Sequence, residues 1–100
     1  MNATTPRAVG LLLLTVMIPM ASGQAAAYVG QELAGDAKIT IDQARAIALK
    51  AHPGRITDEE LEREDGGSGL RYTFSVDGGS NTQELGVDAV TGQVLENSPD

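Results

Sequence analysis

Residues 87–95 read VDAVTGQVL, and the fold turns on how this stretch is paired. Gly92 stands where a tight turn needs a residue tolerant of positive φ, with Val87 and Val94 at hairpin spacing on either side. The stretch is therefore expected to be the last hairpin of a small antiparallel sheet. A four-residue turn, Ala89 to Gly92, sets Val87 against Val94 in the core and sends Leu95 to the outer face beside Gly86. Asp88 is expected to accept backbone amides entering the turn, and Thr91 suits its end. Asp88, Thr91 and Gly92 are thus structural turn residues, and a valine at Gly92 should destabilise the fold.

Upstream, Leu85, Val87 and Ala89 alternate with Glu84, Gly86 and Asp88. Before the flexible turn around residues 77–81, Leu70, Tyr72, Phe74 and Val76 alternate strictly with Arg71, Thr73 and Ser75, the clearest strand in the chain. The acidic run DEELERED, residues 58–65, reads as a strand with one wet face. A four-residue loop at 66–69 would pair Leu61 with Phe74 inside and Glu64 with Arg71 outside. A similar loop at 78–81 pairs Phe74 with Leu85 and Tyr72 with Val87. Ile56 has the wrong parity to share a face with Leu61, which predicts a bulge or a late strand start near Asp58.

One helix precedes these strands. Thr40 followed by Gln43 is a capping-box pattern, and Ala44, Ile47, Ala48 and Ala51 form a narrow apolar stripe that Pro53 and Gly54 end. Asp42 and Lys50 sit at the ends that suit their charges. Small alanines let such a helix lie close on a sheet. The fold class expected is α+β, one N-terminal helix packed on a four-stranded antiparallel sheet of consecutive hairpin-linked strands.

The segments ITIDQARAIALKAHPG (39–54), LRYTFSV (70–76) and VDAVTGQVL (87–95), in this order and spacing, resemble the PepSY domain. The resemblance covers about Lys38 to Glu96. It implies an exported bacterial module of one helix on an antiparallel sheet, found in propeptides of thermolysin-like metallopeptidases and in stand-alone secreted proteins, and proposed to bind and restrain peptidases. It implies no catalytic residues. No peptidase domain follows the module here, so a propeptide role in cis is not expected.

The N-terminal quarter has the three-part order of a secretory signal: Arg7, the apolar run Ala8 to Met20, then small residues to Ala27. The run is shorter than the roughly 20 residues that span a bilayer and contains Pro19. Cleavage after Ala27 is expected, with Ala21-Ser22-Gly23 as a second site of the same spacing. The chain then divides into a signal at 1–27, a flexible arm at 28–37, the domain at 38–97 and a tail at 98–100. The product is exported, periplasmic or extracellular, with no stable membrane span.

About 70 residues remain, a size at which roughly 60% of the unfolded surface is buried. The chain has no cysteine, so packing and turn chemistry must hold it, and thiol nucleophiles and thiolate metal sites are excluded. The 14 acidic residues all lie downstream of Ala27, as do all but one of the 7 basic ones. This balance disfavours nucleic acid or anionic lipid as a partner and suits a cationic protein surface or cations, while the plainer reading is that acidity keeps a small exported domain soluble.

Glu60, Glu62 and Glu64 fall on one strand face with Arg71 opposite, and form the candidate partner surface. A straight row of carboxylates diverges, whereas a calcium site needs converging oxygens, so neither metal nor cofactor is expected. His52 is better placed to meet the last helix carbonyls than to act as ligand or base. With no nucleophile, base and pocket in evidence, the chain reads as a non-enzymatic exported module whose partner is a protein, a peptidase under the resemblance. The alternative is a small structural or cation-responsive cell-envelope protein.

Overall fold

The computed structural model describes residues 27–100, and the signal segment expected at 1–27 lies outside these residues but for Ala27. Helix α1 runs Ile41–Ala51, followed by β1 (Arg55–Arg63), β2 (Leu70–Asp77), β3 (Thr82–Asp88) and β4 (Val94–Pro99), paired in the order β1-β2-β3-β4 with every neighbour antiparallel. This is the expected α+β arrangement. Both halves of the capping box form: Gln43 N–H donates to Thr40 Oγ1 at 3.1 Å and Thr40 N–H to Gln43 Oε1 at 2.8 Å. Two amides that the helix start would leave without partners are thereby satisfied.

Alternation sends Leu61, Tyr72, Phe74, Val76, Leu85 and Val87 to one face, where all are buried. Ala44 and Ala48 are fully buried, so the helix backbone lies close on β2, β3 and β4, while Ile47 packs at the margin. Ala51, counted in the stripe from its spacing, is exposed because the helix ends there and turns away at Pro53. The Tyr72 hydroxyl donates to Ile39 O at 2.9 Å, and Lys38 N–H and Ile39 N–H both donate to Ala89 O. The helix is thus fixed at its entry to the middle of the sheet.

The β2–β3 register is as expected, with Phe74 opposite Leu85 and Tyr72 opposite Val87. The β1–β2 register differs by two residues: Leu61 faces Tyr72 rather than Phe74, and Glu62, not Glu64, faces Arg71. An even slip keeps every side chain on its face. The cause is the connection, which takes residues 64–69 instead of four, because Ser68 is drawn down onto Asp88 and the loop needs Gly67 at φ +55 beneath that carboxylate. The bulge expected near Asp58 is present: Ile56 faces Val76, Asp58 faces Ser75, and Thr57 is the extra residue. Strand β1 nonetheless starts at Arg55 and stops at Arg63, so its bounds lie earlier than the acidic run suggested.

Three further expectations are corrected. The arm at 28–37 is laid against the sheet: Gln31–Asp36 forms a 3-10 helix on β1, Val29 bridges Glu60 in parallel, and Tyr28, Leu33 and Ala37 pack on the core. Apolar burial and the Asp36–Arg63 ion pair hold it there. Residues 98–100 are not a tail, since β4 runs to Pro99 and Asp100 N–H donates to Thr82 O. Val87 does face Val94, but Val94 is 38% exposed, and a bulge at Leu95 places Glu96 beside Gly86.

Candidate functional site

The helix covers one face of the sheet, and the other face bears no element among the described residues. The same alternation that buries the core delivers Asp58, Glu60 and Glu62 of β1 to this outer face, with Ser75, Thr73 and Arg71 of β2 as their respective partners. Glu84 of β3 and Glu96 of β4 stand across it. A recess of about 340 Å³ is lined by Asp58, Glu60, Glu62, Glu84 and Asp100, with Thr73 at its floor. It contains only carboxylates and hydroxyls at its centre.

Electrostatics register this crowding. Glu60 is raised, first by hydrogen bonding to the Glu62 carboxyl and then by that residue's charge. Burial pushes the Glu62 carboxyl up, but the Thr73 hydroxyl at 2.9 Å, the neighbouring Glu60 and Glu64 carboxyls and Arg71 together bring it down. Glu84 is raised, by burial first and then by the charges of Glu96 and Asp100. A carboxylate whose pKa rises among like charges is a site where a cation is favoured.

The guanidinium at the middle of this face, Arg71, is not a contact surface. Arg71 is only 7% exposed; it lies over Gly86, donates to Asp65 O at 2.9 Å, and stands 3.9 Å from Glu64 and 3.6 Å from Glu96. A Cβ at Gly86 would come within 3.3 Å of Arg71 Nη1 and 3.2 Å of the Glu96 Cβ. Gly86, which from sequence leaves the strand bare, is therefore the seat of Arg71. Of the expected surface, Glu60 and Glu62 lie together on the face, Glu64 stands at its loop end, and Arg71 contributes charge from beneath. Asp58, Glu84, Glu96 and Asp100 were the members that sequence reasoning missed; strand alternation marks Asp58, Glu84 and Glu96, but only the sheet order brings Glu84 and Glu96 to Glu60.

Asp88 is 1% exposed and ties together two loops at one end of the sheet. Its Oδ1 accepts from Val90 N–H at 2.8 Å, Thr91 N–H at 3.1 Å and the Ser68 hydroxyl at 2.8 Å, and Oδ2 accepts from Ser68 N–H at 2.7 Å. Burial pushes its pKa up, but the Ser68, Val90 and Thr91 donors outweigh burial and bring it down to about 2. Asp88 thus accepts the amides of the turn that follows it, and the bond to Ser68 was not visible in the spacing. Thr91 Oγ1 accepts from Gln93 N–H at 3.2 Å. Gly92 has φ +79, and a Cβ there would lie 3.3 Å from the Ile47 methyl, so both conformation and space require glycine.

On the helix side, Arg45 bridges Asp42 and Glu59, with Arg45 Nη2 at 2.8 Å from Glu59 Oε1, joining α1 to β1 across a gap. That gap opens as a groove of about 700 Å³ between β1 and the chain around Tyr28, lined also by Ile56 and Thr57. One helix on a four-stranded sheet was expected to leave little concavity. His52 closes the helix through its N–H to Ala48 O at 2.9 Å, and its ring Nε2 is buried against Gly78 with no hydrogen-bond partner among the described residues.

Among the described residues, no group of His, Asp and Glu is arranged to hold a metal ion, and no helix is long and apolar enough to cross a membrane. Comparison with the curated proteins and with the solved structures gives no match. The family model of the peptidase propeptide and YPEB domain matches residues 38–97, which span the helix lead-in, α1 and nearly all of the sheet. With one capped helix on four antiparallel strands closed by the Asp88–Gly92 turn, the chain belongs to the PepSY family.

Proposed function

We propose that this chain is an exported, non-catalytic protein-binding module that restrains a peptidase in trans, meeting its partner with the acidic outer face of the sheet. The observation that carries the reading is the uncovered face itself, where Asp58, Glu60, Glu62, Glu84 and Asp100 gather around one recess, with Glu60 raised by Glu62 and Glu84 raised by burial and then by Glu96 and Asp100. A basic protein surface relieves that repulsion on docking and is steered to it from a distance. The family description, a peptidase propeptide domain, supports a peptidase as the partner. Support for export is the order Arg7, apolar run and small residues at the N-terminus.

The test is a titration of the protein into a panel of secreted metallopeptidases from its source, following the rate of peptide hydrolysis. Saturable loss of rate in at least one, weakened by added salt as exposed charges are screened, is the expected result. Unchanged rates and no binding across the panel contradict it.

A further inference from the structure

We propose that the edge of β1 at Thr57 to Glu59, uncovered among the described residues, is a strand-addition site for an extended segment of the partner in which cationic and apolar side chains alternate. This rests on the protein-binding reading above and names the partner's local chemistry.

The sheet has two edges, and they are not equivalent. On β4, Asp100 N–H donates inward to Thr82 O, so the alternation of the ladder turns Pro99 outward, where it has no N–H to offer. That edge is blunted in a way natural sheets use against further pairing. On β1, Leu61 N–H donates outward to Val29 O at 2.8 Å, so the same alternation turns the backbone of Glu59 outward. Val29 is already seated there as a parallel bridge to Glu60, which shows that the edge accepts an extended chain. Beyond Val29, towards the start of β1, the chain at Tyr28 and Ala27 leaves β1 rather than continuing to pair, and the groove of about 700 Å³ opens between them.

A strand laid in that groove sends successive side chains to opposite faces of the sheet. Those on the outer side stand beside Asp58 and Glu60, next to the acidic recess, and Lys or Arg is favoured there. Those on the inner side meet Tyr28 and Ile56, which pack at the margin of the core, and small apolar groups fit. Glu59 also lies on the inner side, but Arg45 already neutralises it. Backbone pairing supplies affinity and the alternating side chains supply selection, the division of labour of strand addition.

The probes are peptides of about eight residues added to the full chain: alternating Lys and Val, alternating Glu and Val, and the Lys-Val peptide N-methylated on alternate amides. Binding is read by calorimetry and by hydrogen-exchange protection of β1. The Lys-Val peptide should bind at least about tenfold tighter than the Glu-Val peptide, lose about tenfold or more on N-methylation in the pairing register, and protect the Glu59 amide. The double variant Asp58→Lys with Glu60→Lys should invert the preference. Binding indifferent to N-methylation, protection confined elsewhere, or no binding overturns the proposal. If a peptidase from the panel binds and the double variant leaves its affinity unchanged, the edge site falls while the binding-module reading stands. If the peptides behave as expected and no peptidase binds, the edge site stands and the peptidase reading falls.

Discussion

Asp88 shows how a single carboxylate is made a structural part. Two of its four donors lie in the turn it begins and two come from Ser68, twenty residues earlier in sequence, so it locks together two loops beyond the end of the β2–β3 ladder. Its pKa falls from the usual 3.8 to about 2, which corresponds to about 2 kcal/mol of stability. Because the folded value is depressed, that contribution is complete above the ordinary carboxylate range and is lost as pH falls from about 4 through about 2. Glu60 and Glu84 carry the opposite sign: their raised values mean that the protonated forms favour the fold, so stability falls as pH rises through them towards neutrality. Denaturant unfolding at a series of pH values should therefore show a stability maximum on the acid side of neutrality and a steep loss below about pH 4. Asp88→Asn should remove much of that acid limb and cost about 2 kcal/mol at neutral pH. A variant with the unaltered acid limb and unaltered stability would contradict this assignment.

At the scale of elements, what was legible in the sequence is what local chemistry decides. The helix start was readable because Thr40 and Gln43 satisfy each other's amides within one turn, and its end because Pro53 follows. Thr40→Ala should cost about 1 kcal/mol, measured by urea denaturation, with Thr40→Asn retaining most of the stability. The β2–β3 hairpin was readable because strict alternation and a short turn leave one register that buries both faces together. The β1–β2 register was not, because parity fixes the face but not the loop length, and that length follows from Ser68 reaching Asp88. The docking of Gln31–Asp36 was half legible: Tyr28, Val29 and Leu33 offer apolar groups to the sheet edge, but they show no period, so a mobile arm was the expectation, and the surface of β1 gives them somewhere to pack. Glu60 and Glu62 could be placed on one face from alternation, whereas the burial of Arg71 over Gly86 depends on β3 lying beside β2.

Taken as a whole molecule, the protein is a one-sided object. The thin core lies between α1 and the sheet, the far side of the sheet is wet and acidic, and the groove borders that side along β1. Nothing in the core gains from this placement of charge; Glu60 and Glu84 are crowded at some cost in stability, an arrangement suited to a cationic partner that removes the cost on docking. The most direct measurement of this account is an amide-resolved NMR titration of the isotope-labelled protein with a metallopeptidase whose rate it lowers. The account predicts shifts concentrated on Glu60, Glu62, Thr73, Glu84 and the β1 edge at Thr57 to Glu59, which disappear in the Asp58→Lys, Glu60→Lys double variant. Shifts confined to the exposed side of α1, or shifts on the sheet that survive this charge reversal, would contradict it.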